Sequence, residues 1–349
     1  MKKYLLLLII AGNTIIVNAQ WNQEKDPYIT RSLSKESIKN IKMQTSGGNI
    51  TVTAVNAAEA RLEVYVQPNN SRNNSMTKEE IQKRIDEDYD LTITVSDNKL
   101  TAIAKLKHEN HNNWDWRKQL NVSFKAYVPQ NVSTDLATSG GNISLTGISG
   151  DQDFRTSGGN LKLDKLSGRL KGKTSGGNIY MVNSKDDIDL STSGGNVEAE
   201  NSNGTIILST SGGNVRLKSL KGNIKATTSG GNVKGDNISG ELLAKTSGGS
   251  IIMTDMACSI EASTSGGSID VAVSQLGKYI TLHNSGGSID LELPKDKGID
   301  LDLSASRVKT GTLNNFSGKM EDDEVVGKLN NGGIPVKVRT SGTIHFSQK

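Results

Sequence analysis

Thr156-Ser157-Gly158-Gly159-Asn160-Leu161-Lys162-Leu163 decides how the rest of the chain is read. The same opening motif, or a near copy, starts at Thr138, Thr174, Thr192, Thr210, Thr228, Thr246 and Thr264, each 18 residues from its neighbours. An altered copy starts at Asn284, and partial copies start at Thr45 and Thr340. Self-similarity at a fixed period of this size is the signature of a solenoid. After each motif apolar and polar residues alternate, as in Ile143/Leu145, Leu161/Leu163, Ile179/Met181 and Val215/Leu217. A second alternating run precedes each motif, as in Ile188/Leu190, Ile206/Leu208 and Ile260/Ala262. Period 2 puts each set on one face of a strand.

Glycine also recurs half a period on, at Gly150, Gly168, Gly204, Gly222 and Gly240. One coil therefore reads as strand, turn, strand, turn. A three-sided hexapeptide helix would need apolar residues every six positions, which Ile143, Ser149 and Arg155 do not supply. The expected fold is all-β: a right-handed, two-sided parallel β-solenoid of about 18 residues per coil. With neighbouring coils about 4.8 Å apart, nine of them make a rod on the order of 40 Å.

The motif carries a physical reading. Gly-Gly, as in Gly158-Gly159, is expected to supply positive φ at a sharp corner. Asn160, Asn178, Asn196, Asn214 and Asn232 would stack, their side-chain amides bonding from coil to coil. Parity turns Thr156, Thr174, Thr192, Thr210 and Thr228 inward, as a buried hydroxyl ladder. The five prolines all fall outside the regular repeat, as central strands require.

Composition narrows the classes. Hydrophobic residues make up 34% of the 349, and aromatics 4%, thin for a globular enzyme. A net charge of +4 from 41 Lys and Arg against 37 Asp and Glu argues against a nucleic-acid partner. The single Cys258 excludes an intramolecular disulfide framework. Lys2-Lys3, the apolar run Tyr4 to Ile10 and Val17-Asn18-Ala19 read as a signal peptide over 1–19, cleaved to leave Gln20. No transmembrane span is expected after that cleavage. A lead-in and first coil then cover 20–56, and a β-rich cap 57–137, read as an antiparallel sheet inserted between the first coil and the main stack. Within that cap Thr77-Lys78-Glu79-Glu80 starts a helix at about 77–89, with Ile81, Ile85 and Tyr89 at a spacing of four. The regular solenoid covers 138–293, and C-terminal coils and a cap cover 294–349. The two ends would be open edges unless covered.

The run Val122-Ser123-Phe124-Lys125-Ala126-Tyr127-Val128-Pro129, then Leu136-Ala137-Thr138-Ser139-Gly140-Gly141-Asn142-Ile143, resembles a bacterial putative-adhesin family of unknown function. Its members share a Val-Pro followed by Thr-Ser-Gly-Asp/Asn-Ile. The close is similar too, from Val326 through Pro335 to Thr340-Ser341-Gly342-Thr343-Ile344. The resemblance covers about 40–349 and implies an exported β-solenoid, with no catalytic residues to carry over. Asn or Ser stands where many relatives carry Asp, which weakens any case for cation binding.

Other chemistries fit the residues less well. Calcium β-rolls need acidic Gly-rich turns on both sides of the coil, and here one corner carries Asn or Ser. Ice binding needs a flat outward Thr array, whereas the outward file here is Ser144, Lys162, Tyr180, Glu198, Arg216, Lys234, Ile252, Asp270 and Asp290. The unbroken spacing leaves no inserted loops for a polysaccharide-cleaving cleft, and Asp186-Asp187 reads as a solvated corner. His108-Glu109-Asn110-His111 lacks the zincin spacing. Trp114 and Trp116 share a strand face and could stack on a sugar or a partner, or pack on helix 77–89. Cys258 reads as a small filler and His283 as a solvent-facing residue.

The expectation is therefore an exported, non-enzymatic, adhesin-like β-solenoid with no cofactor, metal or catalytic residue. It would present an extended surface to a cell-surface or envelope protein or glycan, from the periplasm, the outer surface or outside the cell. Two other readings stand beside it: a carbohydrate-binding or carbohydrate-active protein working through Trp114 and Trp116, and an envelope scaffold or sensor.

Overall fold

The structure, a computed structural model, describes residues 26–69, 76–107 and 119–349. The signal peptide expected over 1–19, the His108–His111 stretch, Trp114 and Trp116 lie outside the described residues. What is described is a parallel β-solenoid with one α-helix. Each coil contributes one strand after the motif, forming a front sheet, and one before it, forming a back sheet. Front strands Ile143–Thr146, Leu161–Asp164, Ile179–Val182 and Val197–Glu200 stack parallel and in register. Back strands Ser133–Thr138, Gln152–Arg155, Arg169–Lys173, Lys185–Ser191 and Asn203–Ser209 do the same. In Val215–Thr227, Val233–Lys245 and Ile251–Thr264 the front strand runs on into the back strand of the next coil.

The core is the file of inward residues, almost all apolar and buried. Volume is shared between coils. Gly172 leaves the space that the Phe154 ring fills, and Gly235 does the same for Met253. A further inward position follows each front strand, at Ile148, Leu166, Ser184, Ser202, Leu220, Ile238 and Met256. The second corner is therefore two bends with a buried residue between them, rather than a single turn. Left-handed backbone marks both bends: Gly147, Lys165, Asn183, Asn201, Ser219, Asn237 and Asp255 at the first, Gly150, Gly168, Asp186, Gly204, Gly222 and Gly240 at the second. Where Ser184 and Ser202 fill the buried position, their hydroxyls donate to the Val182 and Glu200 carbonyls, at 3.0 and 2.9 Å.

Block 57–137 is not placed between the first coil and the main stack. Strands Asn40–Thr45 and Ile50–Ala54 pair directly with Ser133–Thr138 and Ile143–Thr146. Two strands of the block, Lys99–Leu106 and Leu120–Val128, form a parallel coil on the outer side of that first coil. Antiparallel Tyr89–Ser96 and Arg61–Pro68 then cover it, and Ile29–Ser32 pairs antiparallel with the latter. Helix Lys78–Asp88 begins in a capping box. Glu80 N–H donates to Thr77 Oγ1 at 3.2 Å, and Thr77 N–H donates to Glu80 Oε2 at 2.8 Å. Ile81 and Ile85 are its buried residues, while Tyr89 opens the next strand, its hydroxyl donating to the Leu120 carbonyl at 3.0 Å.

The far end mirrors this plan. The last coil of the chain, Ile334–Thr340 and Thr343–Gln348, slips between Ile280–Asn284/Ile289–Leu293 and Ile299–Ser304/Arg307–Thr310. Antiparallel Glu324–Leu329 and Phe316–Met320 close the back sheet. At each end, then, a partial motif is carried by a coil placed between two that are distant from it in sequence.

Candidate ligand-binding surface

The repeated motif is absorbed by the scaffold. Thr156, Thr174, Thr192, Thr210 and Thr228 are buried. Each donates its hydroxyl to the carbonyl of the second motif glycine one coil back, as Thr174 does to Gly159 at 2.8 Å. The same oxygen accepts from its own second glycine, as from Gly177 N–H at 3.2 Å. Asn284, in the altered copy, reproduces both bonds through its amide: Nδ2 donates to the Gly267 carbonyl at 2.7 Å and Oδ1 accepts from Gly287 N–H at 3.2 Å.

The asparagines are exposed or half-buried and stack, and their side-chain amides do bond from coil to coil, chiefly by accepting a backbone N–H and once amide to amide, from Asn214 Nδ2 to Asn196 Oδ1 at 3.3 Å. The backbone N–H of Asn160 donates to Asn142 Oδ1, and Asn178, Asn196, Asn214 and Asn232 repeat the bond, all at 2.7–2.8 Å. Positive φ is not what the glycine pairs of the repeated motif supply, since none of those glycines adopts it. The second glycine is required by room: a methyl on Gly159 would lie 1.9 Å from the Gly141 carbonyl oxygen. On Gly158 it would meet nothing closer than 3.8 Å.

Side chains that could meet a partner are those pointing out from the two sheets. On the front sheet the file Ser144, Lys162, Tyr180, Glu198, Arg216, Lys234 and Ile252 stacks in register. Glu198–Arg216 at 3.9 Å and Glu200–Lys218 at 3.4 Å pair across coils, both solvent-exposed. The file ends in an acidic run. Desolvation, helped by Asp290 and Glu292, raises the pKa of Asp270, and Asp290 lies 2.8 Å from His345 Nδ1. Cys258 is buried in register with Gly240, and desolvation pushes its thiol up to about 12. His283 is exposed.

Two depressions adjoin on the back sheet near the N-terminal end. One, of about 470 Å³, is lined by Lys42, Lys99, Arg169 and Lys171 together with Asp135, Asp151 and Asp153. Its neighbour, of about 430 Å³, has Lys105, Arg155 and Lys173 as its only charged lining residues among those described. Sequence reasoning passed over these cations because each is an unremarkable outward residue of its strand. The available signal was Ala137, a methyl in a file that continues as Arg155 and Lys173. Among the described residues no group of three or more His, Cys, Asp and Glu is placed to hold a metal ion, and no helix is long and apolar enough to cross a membrane.

A parallel β-solenoid closed by antiparallel strands and bearing charged outer files defines a class of repeat-built β-proteins. The chain belongs to the Toastrack DUF4097 family, whose profile matches residues 38–346. No curated protein matches it. Among solved structures, it is similar to a putative cell adhesion protein from Clostridium sporogenes, at 10% identity over 92% of this chain and 98% of that one, with a TM-score of 0.20. It is also similar to a putative adhesin from Bacteroides fragilis, at 15% identity over 92% and 96%, with a TM-score of 0.28.

Proposed function

We propose that this protein is an exported, non-enzymatic, adhesin-like scaffold that presents its two sheet faces to a cell-surface or envelope partner. The observation that carries the reading is the division of labour within each coil. Motif residues point inward or bond to the next coil, while the outward positions change from coil to coil in charge and size. A stacked sheet holds such side chains at fixed intervals of about 4.8 Å, a rigid display that loses little entropy on binding. Two measurements test it. Fractionation followed by N-terminal sequencing should recover a form beginning at Gln20 outside the cytoplasm. Labelled protein should bind isolated envelopes or intact cells saturably, and less at high salt because the displayed charges are exposed. Recovery of the uncleaved chain in the cytoplasm alone would overturn export, and an absence of saturable binding would overturn the adhesive role.

A further inference from the structure

The smaller depression on the back sheet is a cationic groove, and we propose that it binds a carboxylated polysaccharide, one in which uronic acid units alternate with neutral sugars, lying along the solenoid axis. This deepens, and rests on, the surface-display reading above.

The groove follows from register. Gln44, Ala137, Arg155 and Lys173 form one outward file across four neighbouring strands. Ile103, paired with Gln44, extends the file by one strand, and Lys105 follows two residues later on that strand. Ala137 offers only a methyl, so the sheet is hollow between Lys105 at one end and the Arg155–Lys173 pair at the other. Three strand steps separate the strand of Lys105 from that of Arg155, about 14 Å at about 4.8 Å per step. Ser46, Ser139 and Ser157 line the corner side of the hollow. The three cations are exposed, and none forms an ion pair among the described residues. Elsewhere on the same face outward cations do find carboxylates, as Lys245 does with Glu261 at 2.8 Å and Lys42 with Asp135 at 3.7 Å.

This layout selects a ligand. Cations at both ends of a hollow, with hydroxyl and amide groups between them, suit a chain whose negative charges are separated by hydroxyl-bearing rings. A polymer charged at every link would leave phosphates over Gln44, Ala137 and Ser139, where nothing neutralises them. The Arg155 guanidinium can grip a planar carboxylate through two parallel N–H donors, while Lys105 and Lys173 act as point charges. The neighbouring depression mixes Asp135, Asp151 and Asp153 with Lys42, Lys99, Arg169 and Lys171, so the hollow whose charges are all positive is the one that suits a carboxylated chain.

The test is calorimetric titration of the full mature chain with an oligosaccharide in which glucuronate alternates with a neutral sugar, a neutral oligosaccharide of equal length and a short polyphosphate. The variants are Arg155→Glu/Lys173→Glu, Ala137→Arg to fill the hollow, and Lys225→Glu as a charge control elsewhere on the same face. We expect the uronate to bind wild type and the neutral sugar not to. The double variant and Ala137→Arg should each weaken uronate binding at least tenfold, and Lys225→Glu should change it less than twofold. All four positions are outward-facing, and matching thermal unfolding would show that each variant folds. An unbound uronate, equal losses in all variants, or tighter binding of polyphosphate would overturn the proposal. Adhesion to cells separates the two levels: a double variant that adheres like wild type removes the groove but leaves the display reading intact, while wild type that binds no surface removes both.

Discussion

At the motif corner a methyl on Gly195 would lie 2.0 Å from the Gly177 carbonyl oxygen, whereas at the opposite corner Ser219 and Asn237 carry full side chains at φ 51° and 53°. The first corner is limited by room. Consecutive coils approach so closely at the second glycine that a β-carbon cannot be accommodated, although the backbone torsion is ordinary. The first bend of the other corner is limited by torsion. It needs left-handed backbone, which glycine adopts freely and Asn, Asp, Ser or Lys adopt at modest cost. A limit on room admits one residue type and yields an invariant motif within the chain. A limit on torsion admits several and yields a variable corner of constant geometry.

The sharpest way to break this comparison is Gly195→Ala beside Gly194→Ala. The first must push two coils apart and is expected to cost at least about 3 kcal/mol, the upper range for overpacking. The second meets nothing closer than 3.6 Å and should stay within about 0.5 kcal/mol. Urea unfolding of the pair decides it; equal losses would show that torsion, not room, governs the motif. Thr192→Val comes next. It strips a hydroxyl that donates to the Gly177 carbonyl at 2.8 Å and accepts from Gly195 N–H at 3.3 Å. Two buried backbone groups lose their partner, so about 1–3 kcal/mol should go, while Thr192→Ser, which keeps the oxygen, should lose less.

Cys258 extends the comparison to pH. It stands in register with the second-bend glycine Gly240, and burial raises its thiol to about 12. A raised pKa favours the neutral thiol in the folded chain. Its contribution is complete below the unfolded value of about 8.5 and is lost as pH climbs from there toward about 12. Wild type should therefore lose stability relative to Cys258→Ala across that window and not below it. Alkylation of the thiol at neutral pH should track unfolding; rapid labelling of the native protein would contradict its burial.

What could be read beforehand follows the same division. Period, parity and the inward Thr files were legible, because each depends on an interval that the motif repeats. The helix was legible from Thr77, Glu80, Ile81 and Ile85 for a similar reason: its cap and its buried face are local. The back-insertion of the two terminal coils was not. The copies at Thr45 and Thr340 look like stray remnants until Thr45 is found paired with Thr138 and Thr340 with Asn284, long-range registers that no local pattern encodes. The cationic groove was hidden for a related reason, since Lys105 and Arg155 line one hollow only because a strand of the cap is stacked outside the first coil.

The mildest prediction concerns the torsion-limited bend itself. Ser219→Gly relieves about 1 kcal/mol of left-handed strain but gives the unfolded chain extra freedom of similar size. It also removes the oxygen 3.1 Å from Asn237 Nδ2, an exposed contact of small worth. These effects nearly cancel, so thermal unfolding should move by no more than about 0.5 kcal/mol in either direction. Ser219→Val tests the same site from the other side. A β-branched residue pays the full left-handed penalty with no local hydrogen bond to offset it, about 1–2 kcal/mol. If Val were as harmless as Gly here, torsion would not be what this bend demands, and the variability of its sequence would need another cause.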